Sequence, residues 1–121
     1  MRVHVNTVLE TDTILHAIRI FELYQQRILP VLDKKGIVCG IISARELSQH
    51  VLATTGIDGQ VSEIMRSRFH SVPPEAELSD LQLAYIASDD DGVLVVDERR
   101  KLIGLVTDVA MAAARLTKPH D

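Results

Sequence analysis

The sequence predicts a mixed α/β (α+β) domain of two lobes, each built to one plan of helix, strand, turn, strand, helix. Two observations predict it. The first is an internal repeat. Shifted by 64 positions, the chain aligns with itself: Met1-Arg2 falls on Met65-Arg66, Val8 on Val72, Val31-Leu32-Asp33 on Val95-Val96-Asp97, Gly40 on Gly104 and Ser43 on Thr107. The apolar pattern extends the match, pairing Ile14 with Leu78, Phe21 with Tyr85, Leu29 with Val93 and Val38 with Leu102. The second is order: strand, turn and glycine signals recur in the same sequence in both halves, which chance identities at one offset rarely produce. Units repeated in this way usually bury their apolar faces on one another. The division falls between residues 1–58 and residues 59–121.

The elements of the first half follow in turn. Asp12 is positioned to cap a helix whose face is marked by Ile14, Ala17, Ile18 and Phe21. Ile28 to Leu32 is an apolar strand, and Pro30 within it suits an edge or a strand start better than a central rung. Asp33-Lys34-Lys35-Gly36 makes a turn with a glycine available for positive φ. Val38 to Ile42 returns as a second strand, and Ser43 caps a helix running through Arg45, Leu47 and Val51. Thr54 to Gly59 links the halves, and Gln60 to Met65 forms a brief amphipathic helical turn. The second half repeats the plan: a helix from about Leu78 to Ile86, a strand Val93 to Asp97, a turn Glu98 to Lys101 and a strand Leu102 to Val106. A last helix, Val109 to Leu116, is rich in Ala and Met and capped by Thr107 or Asp108.

Composition narrows the function. The chain has 121 residues, 46% of them hydrophobic and only 3% aromatic, so its core is built from aliphatic side chains. Seventeen acidic residues outnumber thirteen basic ones. That balance argues against non-specific nucleic-acid binding, which needs concentrated Lys and Arg. No apolar run approaches the length of about 20 residues that a membrane span needs, so a cytoplasmic setting, or a soluble domain of something larger, is expected. The single cysteine, Cys39, lies in an apolar run and reads as a buried small hydrophobe. The five histidines show no ligand-like spacing, and no metal site is expected. Asp89-Asp90-Asp91-Gly92 lacks the alternating ligands and closing glutamate of a calcium loop and reads as a solvated turn. Neither a phosphate-binding Gly-rich loop nor a nucleophile elbow is present, so no catalytic centre is expected.

What remains is the pair of strand-to-helix junctions, Gly40-Ile41-Ile42-Ser43-Ala44-Arg45-Glu46 and Gly104-Leu105-Val106-Thr107-Asp108-Val109-Ala110. Helix capping by itself accounts for Ser43 and Thr107; the alternative is a ligand-facing role in a cleft between the halves. In the ligand reading, Arg45 meets a phosphate and Glu46 accepts from a sugar hydroxyl.

These stretches resemble a tandem pair of cystathionine-β-synthase (CBS) domains, the Bateman module. The resemblance rests on Ile28-Leu29-Pro30-Val31-Leu32-Asp33, Gly36, Gly40-Ile41-Ile42-Ser43 and Glu46-Leu47, repeated as Gly92-Val93-Leu94-Val95-Val96-Asp97 and Gly104-Leu105-Val106-Thr107-Asp108-Val109, with Ile64-Met65 opening the second unit. It covers essentially the whole chain. It implies two βαββα repeats packed through their sheets, and a homodimer formed through helices. It further implies a regulatory role toward an attached or partner enzyme, transporter or channel, and clefts that hold AMP, ADP, ATP or S-adenosylmethionine. Family members carry a small hydroxyl residue that contacts phosphate and, three positions later, an aspartate that contacts ribose. The hydroxyl falls on Ser43 and Thr107; the carboxylate falls on Glu46 in the first repeat and is replaced by Ala110 in the second, with Asp108 one place after the threonine. The first cleft, walled by Asn6, Thr7, Ile28, Pro30, Ser43, Arg45 and Glu46, is therefore expected to be the working one. The second, near His70, Ser71, Val93 and Thr107, is expected to be weaker or vacant. The alternative implied is a dimerisation or docking module with unliganded clefts, its partner surface on the helix faces near Ile18 to Leu23 and Met111 to Leu116.

Overall fold

Alternating aliphatic residues and two similar turns make each repeat a small three-stranded sheet, with helix packed on one face among the described residues. In the computed structural model, which describes residues 5–54, 57–88 and 92–107, the order is β1 (Val8–Leu9), α1 (Ile14–Tyr24), β2 (Ile28–Leu32), β3 (Val38–Ser43), α2 (Ala44–Thr54), a 3₁₀ turn (Val61–Glu63), β4 (Ser71–Val72), α3 (Leu78–Ala87), β5 (Gly92–Val96) and β6 (Leu102–Thr107). The expected last helix and Asp108 lie outside the described residues.

The two sheets run β1-β2-β3 and β4-β5-β6, the first pair parallel and the second antiparallel in each. Their hairpin registers are the same after the shift seen in the sequence: Ile28 opposite Ser43 becomes Gly92 opposite Thr107, and Val31 opposite Gly40 becomes Val95 opposite Gly104. Each hairpin also slips by one residue at the same place, leaving Cys39 and Ile103 unopposed. Such a bulge breaks the strict alternation of faces. It lets Val38 and Ile41, three residues apart, both join the cluster formed with Ile28, Leu94 and Leu105. That cluster is the seam between the two sheets, and it realises the packing of repeats through their sheets. Leu29, Val31 and Ile42 face the other way and pack with Ile14, Ala17 and Leu47 of the helices. In the second repeat Val93, Val95 and Val106 pack likewise toward Leu78, Leu81 and Tyr85 of α3.

The turns use matching chemistry. Asp33 Oδ1 accepts from the N–H groups of Lys35 and Ile37, and Asp97 Oδ1 from those of Arg99 and Lys101. Gly36 takes the positive φ expected of it, 80°. Its counterpart Arg100 adopts φ 63° without a glycine's freedom.

Two expectations are corrected. The α1 cap is Thr13, whose side chain accepts from the His16 N–H, while Asp12 accepts from the Leu9 N–H and closes the turn before it. Pro30 sits in β2, the middle strand, opposite Ile41. It is tolerated because the Asn6 carbonyl, which its missing N–H would serve, accepts from Gln26 Nε2 at 2.8 Å instead.

The segment joining the repeats lies against the first of them. The N–H groups of Val61 and Ser62 donate to the carbonyls of Asp12 and Glu10, and Val61 is fully buried in the helix-side core. Arg66 then pairs with the outer edge of β3, exchanging two backbone hydrogen bonds of 2.9 Å with Ile41. Gly40 makes this approach possible. A Cβ there would lie 2.9 Å from the Arg66 carbonyl oxygen and 3.0 Å from Met65 Sδ.

Candidate ligand-binding cleft

The head of α2 gathers three polar side chains. Ser43 ends β3 and caps the helix, its Oγ accepting from the Glu46 N–H at 3.0 Å. The same hydroxyl donates to Glu46 Oε1 at 2.9 Å. The capping reading of Ser43 is thus realised, and it also orients Glu46. Arg66, delivered to the β3 edge by the backbone pairing, grips the same carboxylate: Nη2 donates to Oε1 at 3.0 Å and Nε to Oε2 at 3.2 Å. Its Nη1 donates to the Arg68 carbonyl at 3.3 Å.

This fork-on-carboxylate geometry fixes a plane as well as a charge. Burial pushes the Glu46 carboxyl up, but hydrogen bonds from Arg66 and Ser43 and the charges of Arg66 and Arg45 outweigh it. The net result lies below the usual carboxylate range. Oε1 is filled by Ser43 and Arg66, whereas Oε2 accepts from Arg66 Nε alone and retains acceptor capacity for a further hydroxyl. Sequence patterning does not mark Arg66 as a partner of Glu46, because only the β3 edge pairing brings the two together across twenty positions. Its signal in the sequence was faint: Arg66 aligns with Arg2 in the repeat.

The other candidate residues are distributed by the sheet order. Ile28 stands opposite Ser43 and faces the seam between the sheets. Asn6 lies on the far side of β2 from Ser43 and Glu46, next to β1, where it is bonded to Gln26. The structure therefore places the expected first-cleft wall on both sides of β2. Thr7 precedes β1 and is partly buried, Pro30 is buried in β2, and Arg45 is exposed on α2. In the second repeat His70 precedes β4 and Ser71 begins it, with the Leu94 N–H donating to the His70 carbonyl at 3.3 Å. Val93 is fully buried, but its side chain packs on the helix side with Val72 and Val106, so it does not line the space between the sheets. Thr107, opposite Gly92, is half-buried at the end of β6.

A cleft of about 260 Å³ opens between the repeats, lined by Val38, Ser67, Arg68, Phe69, Ser71, Val96 and Arg100, with Ser43, Glu46 and Arg66 outside its lining. Its floor is apolar, its charged side chains are cationic, and Ser67 and Ser71 add hydroxyls. That combination suits a flat apolar group carrying an anion. A second, apolar groove of about 420 Å³ runs between α1 and α2 past Ile18, Phe21, Leu47, Val51 and Leu52. Among the described residues no three or more His, Cys, Asp and Glu groups cluster to hold a metal ion, and no helix is long and apolar enough to cross a membrane. Cys39 is half-buried. Burial first, and then the neighbouring carboxylate of Glu10, raise its thiol to about 11.

The fold has many counterparts among solved structures. AcuB from Vibrio cholerae superposes with a TM-score of 0.86 at 25% identity, covering 96% of this chain and 87% of that one. CBSX2, solved in complex with AMP, gives 0.80 at 22% identity over 93% and 88% of the two chains. The CBS domain pair of MJ0100, solved with 5′-methylthioadenosine and S-adenosyl-L-methionine, gives 0.81 at 21% identity over 96% and 92%. No curated protein matches the chain. The CBS domain model matches twice, over residues 1–53 and 61–116. With the register repeated and the two sheets joined at one seam, this chain belongs to the CBS domain family, as a tandem pair.

Proposed function

We propose that this CBS pair is a non-catalytic regulatory module that binds an adenosine-type ligand, AMP, ADP, ATP or S-adenosylmethionine, between its repeats and modulates an attached or partner protein. The observation that carries the reading is the presence in one module of the Ser43–Glu46–Arg66 group and a cationic cleft. It combines an ionised, pre-oriented carboxylate suited to ribose hydroxyls with arginines suited to a phosphate or carboxylate. Two structural counterparts, CBSX2 and the MJ0100 pair, hold adenosine-type ligands, which supports the class of ligand. Binding regulates only if two conformations of the module differ in affinity for the ligand. A cytoplasmic homodimer is the setting proposed.

A second reading, a dimerisation or docking module, is favoured by the groove between α1 and α2, where Leu52 is 83% exposed. Calorimetric titration of dialysed protein with the four ligands, with solution mass measured in parallel, separates the two. Saturable binding that Glu46→Ala abolishes is the expected result. No heat with any ligand, from a folded and stable dimer, would select the docking reading.

A further inference from the structure

The two repeats keep one register but differ at one rung. In the second repeat the Leu94 N–H donates to the His70 carbonyl. The position equivalent to Leu94 is Pro30, which has no N–H, and the position equivalent to His70 is Asn6. The Asn6 carbonyl is nonetheless satisfied. Gln26 Nε2 donates to it at 2.8 Å and to the Ile28 carbonyl at 2.7 Å. Gln26 Oε1 accepts from the Asn6 N–H at 3.2 Å and from Asn6 Nδ2 at 3.4 Å. Both donors and both lone pairs of the amide are thereby engaged, in a side chain only 3% exposed. A buried amide in this state is costly to disturb, because every partner it loses becomes a desolvated orphan.

We propose that Gln26 is a positioning residue: a side-chain rung that replaces the backbone bond Pro30 cannot make and holds Asn6 and Thr7 beside Ile28. The rung stands on these hydrogen bonds alone; its consequence for ligand binding rests on the nucleotide reading above. Residues 6 and 7 precede the two residues at which β1 pairs with β2, so the Gln26 amide is what extends the β1 edge back to the start of β2. Helix α1 is followed by its C-cap Gln25, a left-handed residue with φ 51°, and this turn aims the next side chain back across the sheet edge.

Amide exchange followed by NMR on the full chain tests the rung. In the native protein the Asn6 backbone amide and the Gln26 side-chain amide exchange slowly. Gln26→Leu speeds Asn6 exchange by about tenfold or more and leaves the Leu94 amide, in the other repeat, unchanged. Adding Pro30→Leu supplies a backbone N–H for the Asn6 carbonyl, as Leu94 does for His70, and recovers part of the protection around β1. An Asn6 amide that exchanges at the unfolded-chain rate in the native protein overturns the proposal, and this measurement decides even if Gln26→Leu fails to fold. So does an Asn6 rate unmoved by Gln26→Leu. AMP titrations of the same proteins read the functional consequence: affinity weakens in Gln26→Leu and recovers in the double variant, whereas unchanged affinity overturns the positioning role. If the parent protein binds no AMP, the nucleotide reading fails, and the exchange data still decide the rung.

Discussion

Gly40→Ala probes the contact that brings Arg66 to Glu46. The added methyl would sit 2.9 Å from the Arg66 carbonyl oxygen and 3.0 Å from Met65 Sδ, closer than carbon tolerates. Met65 can swing aside, but the Arg66 oxygen cannot, because it accepts the Ile41 N–H in one of two paired backbone bonds. Overpacking of this kind costs about 1–3 kcal/mol. Weakening the two rungs adds about 0.5–1.5 kcal/mol for each one lost, while the stiffer unfolded chain of an alanine variant returns about 0.4–1 kcal/mol. With both rungs lost the net expectation is a loss of about 1–5 kcal/mol, or a fall in Tm of about 4–20 °C for a domain of this size. Thermal and urea unfolding measure the loss, and amide exchange locates it, with the Ile41 and Arg66 amides opening first. Gly36→Ala is the control: nothing lies within 4 Å of its Cβ, and its penalty arises only from φ 80°. It should cost about 1–2 kcal/mol and leave those two amides protected. A Gly40→Ala protein as stable as its parent, with Ile41 and Arg66 still protected, would refute the reasoning.

Three further predictions concern the core, the thiol and the clamp. Leu29→Ala, at a fully buried β2 position, should cost about 2–5 kcal/mol, against a change within about 0.5 kcal/mol for Leu52→Ala on the open face of α2; equal losses in urea denaturation would contradict the layer assignment. With its thiol raised to about 11, Cys39 should react slowly with a thiol reagent at pH 8 and rapidly once the protein is unfolded, and fast stoichiometric labelling of the native protein would count against its buried setting. Because the folded Glu46 carboxyl titrates below its unfolded value, its stabilising contribution is present above the unfolded value and is lost as the pH falls through the lower, folded one. Glu46→Gln should therefore flatten the acid limb of stability against pH, and superimposable limbs for parent and variant would argue that the clamp adds nothing.

Much of this architecture is legible in the residues because it is local. A five-residue aliphatic run, a turn with an aspartate whose side chain bonds two amides, and a second run are short-range features, and each strand and turn expected from them is present within a residue or two. The repeat was legible for the same reason, since one register generated twice leaves one pattern of apolar residues twice. The two-residue strands β1 and β4 were not separately legible, being too short to carry a period. Thr13 rather than Asp12 as the cap is a one-residue choice that backbone geometry makes.

The sequence by itself determined the duplicated α/β plan, the family and the hydroxyl–carboxylate pair at the head of α2. Tertiary structure alone decided what that pair touches. Arg66 meets Glu46, Gln26 meets Asn6, and Ile28 meets Leu94 only because strands distant along the chain were laid edge to edge and face to face. The bulges at Cys39 and Ile103 turn Val38 and Leu102 toward the seam, a parity that strict alternation reads the other way. The physical reason is range: propensity and turn chemistry act over a few residues, whereas a binding cleft is assembled from side chains whose closeness depends on the register of the whole sheet.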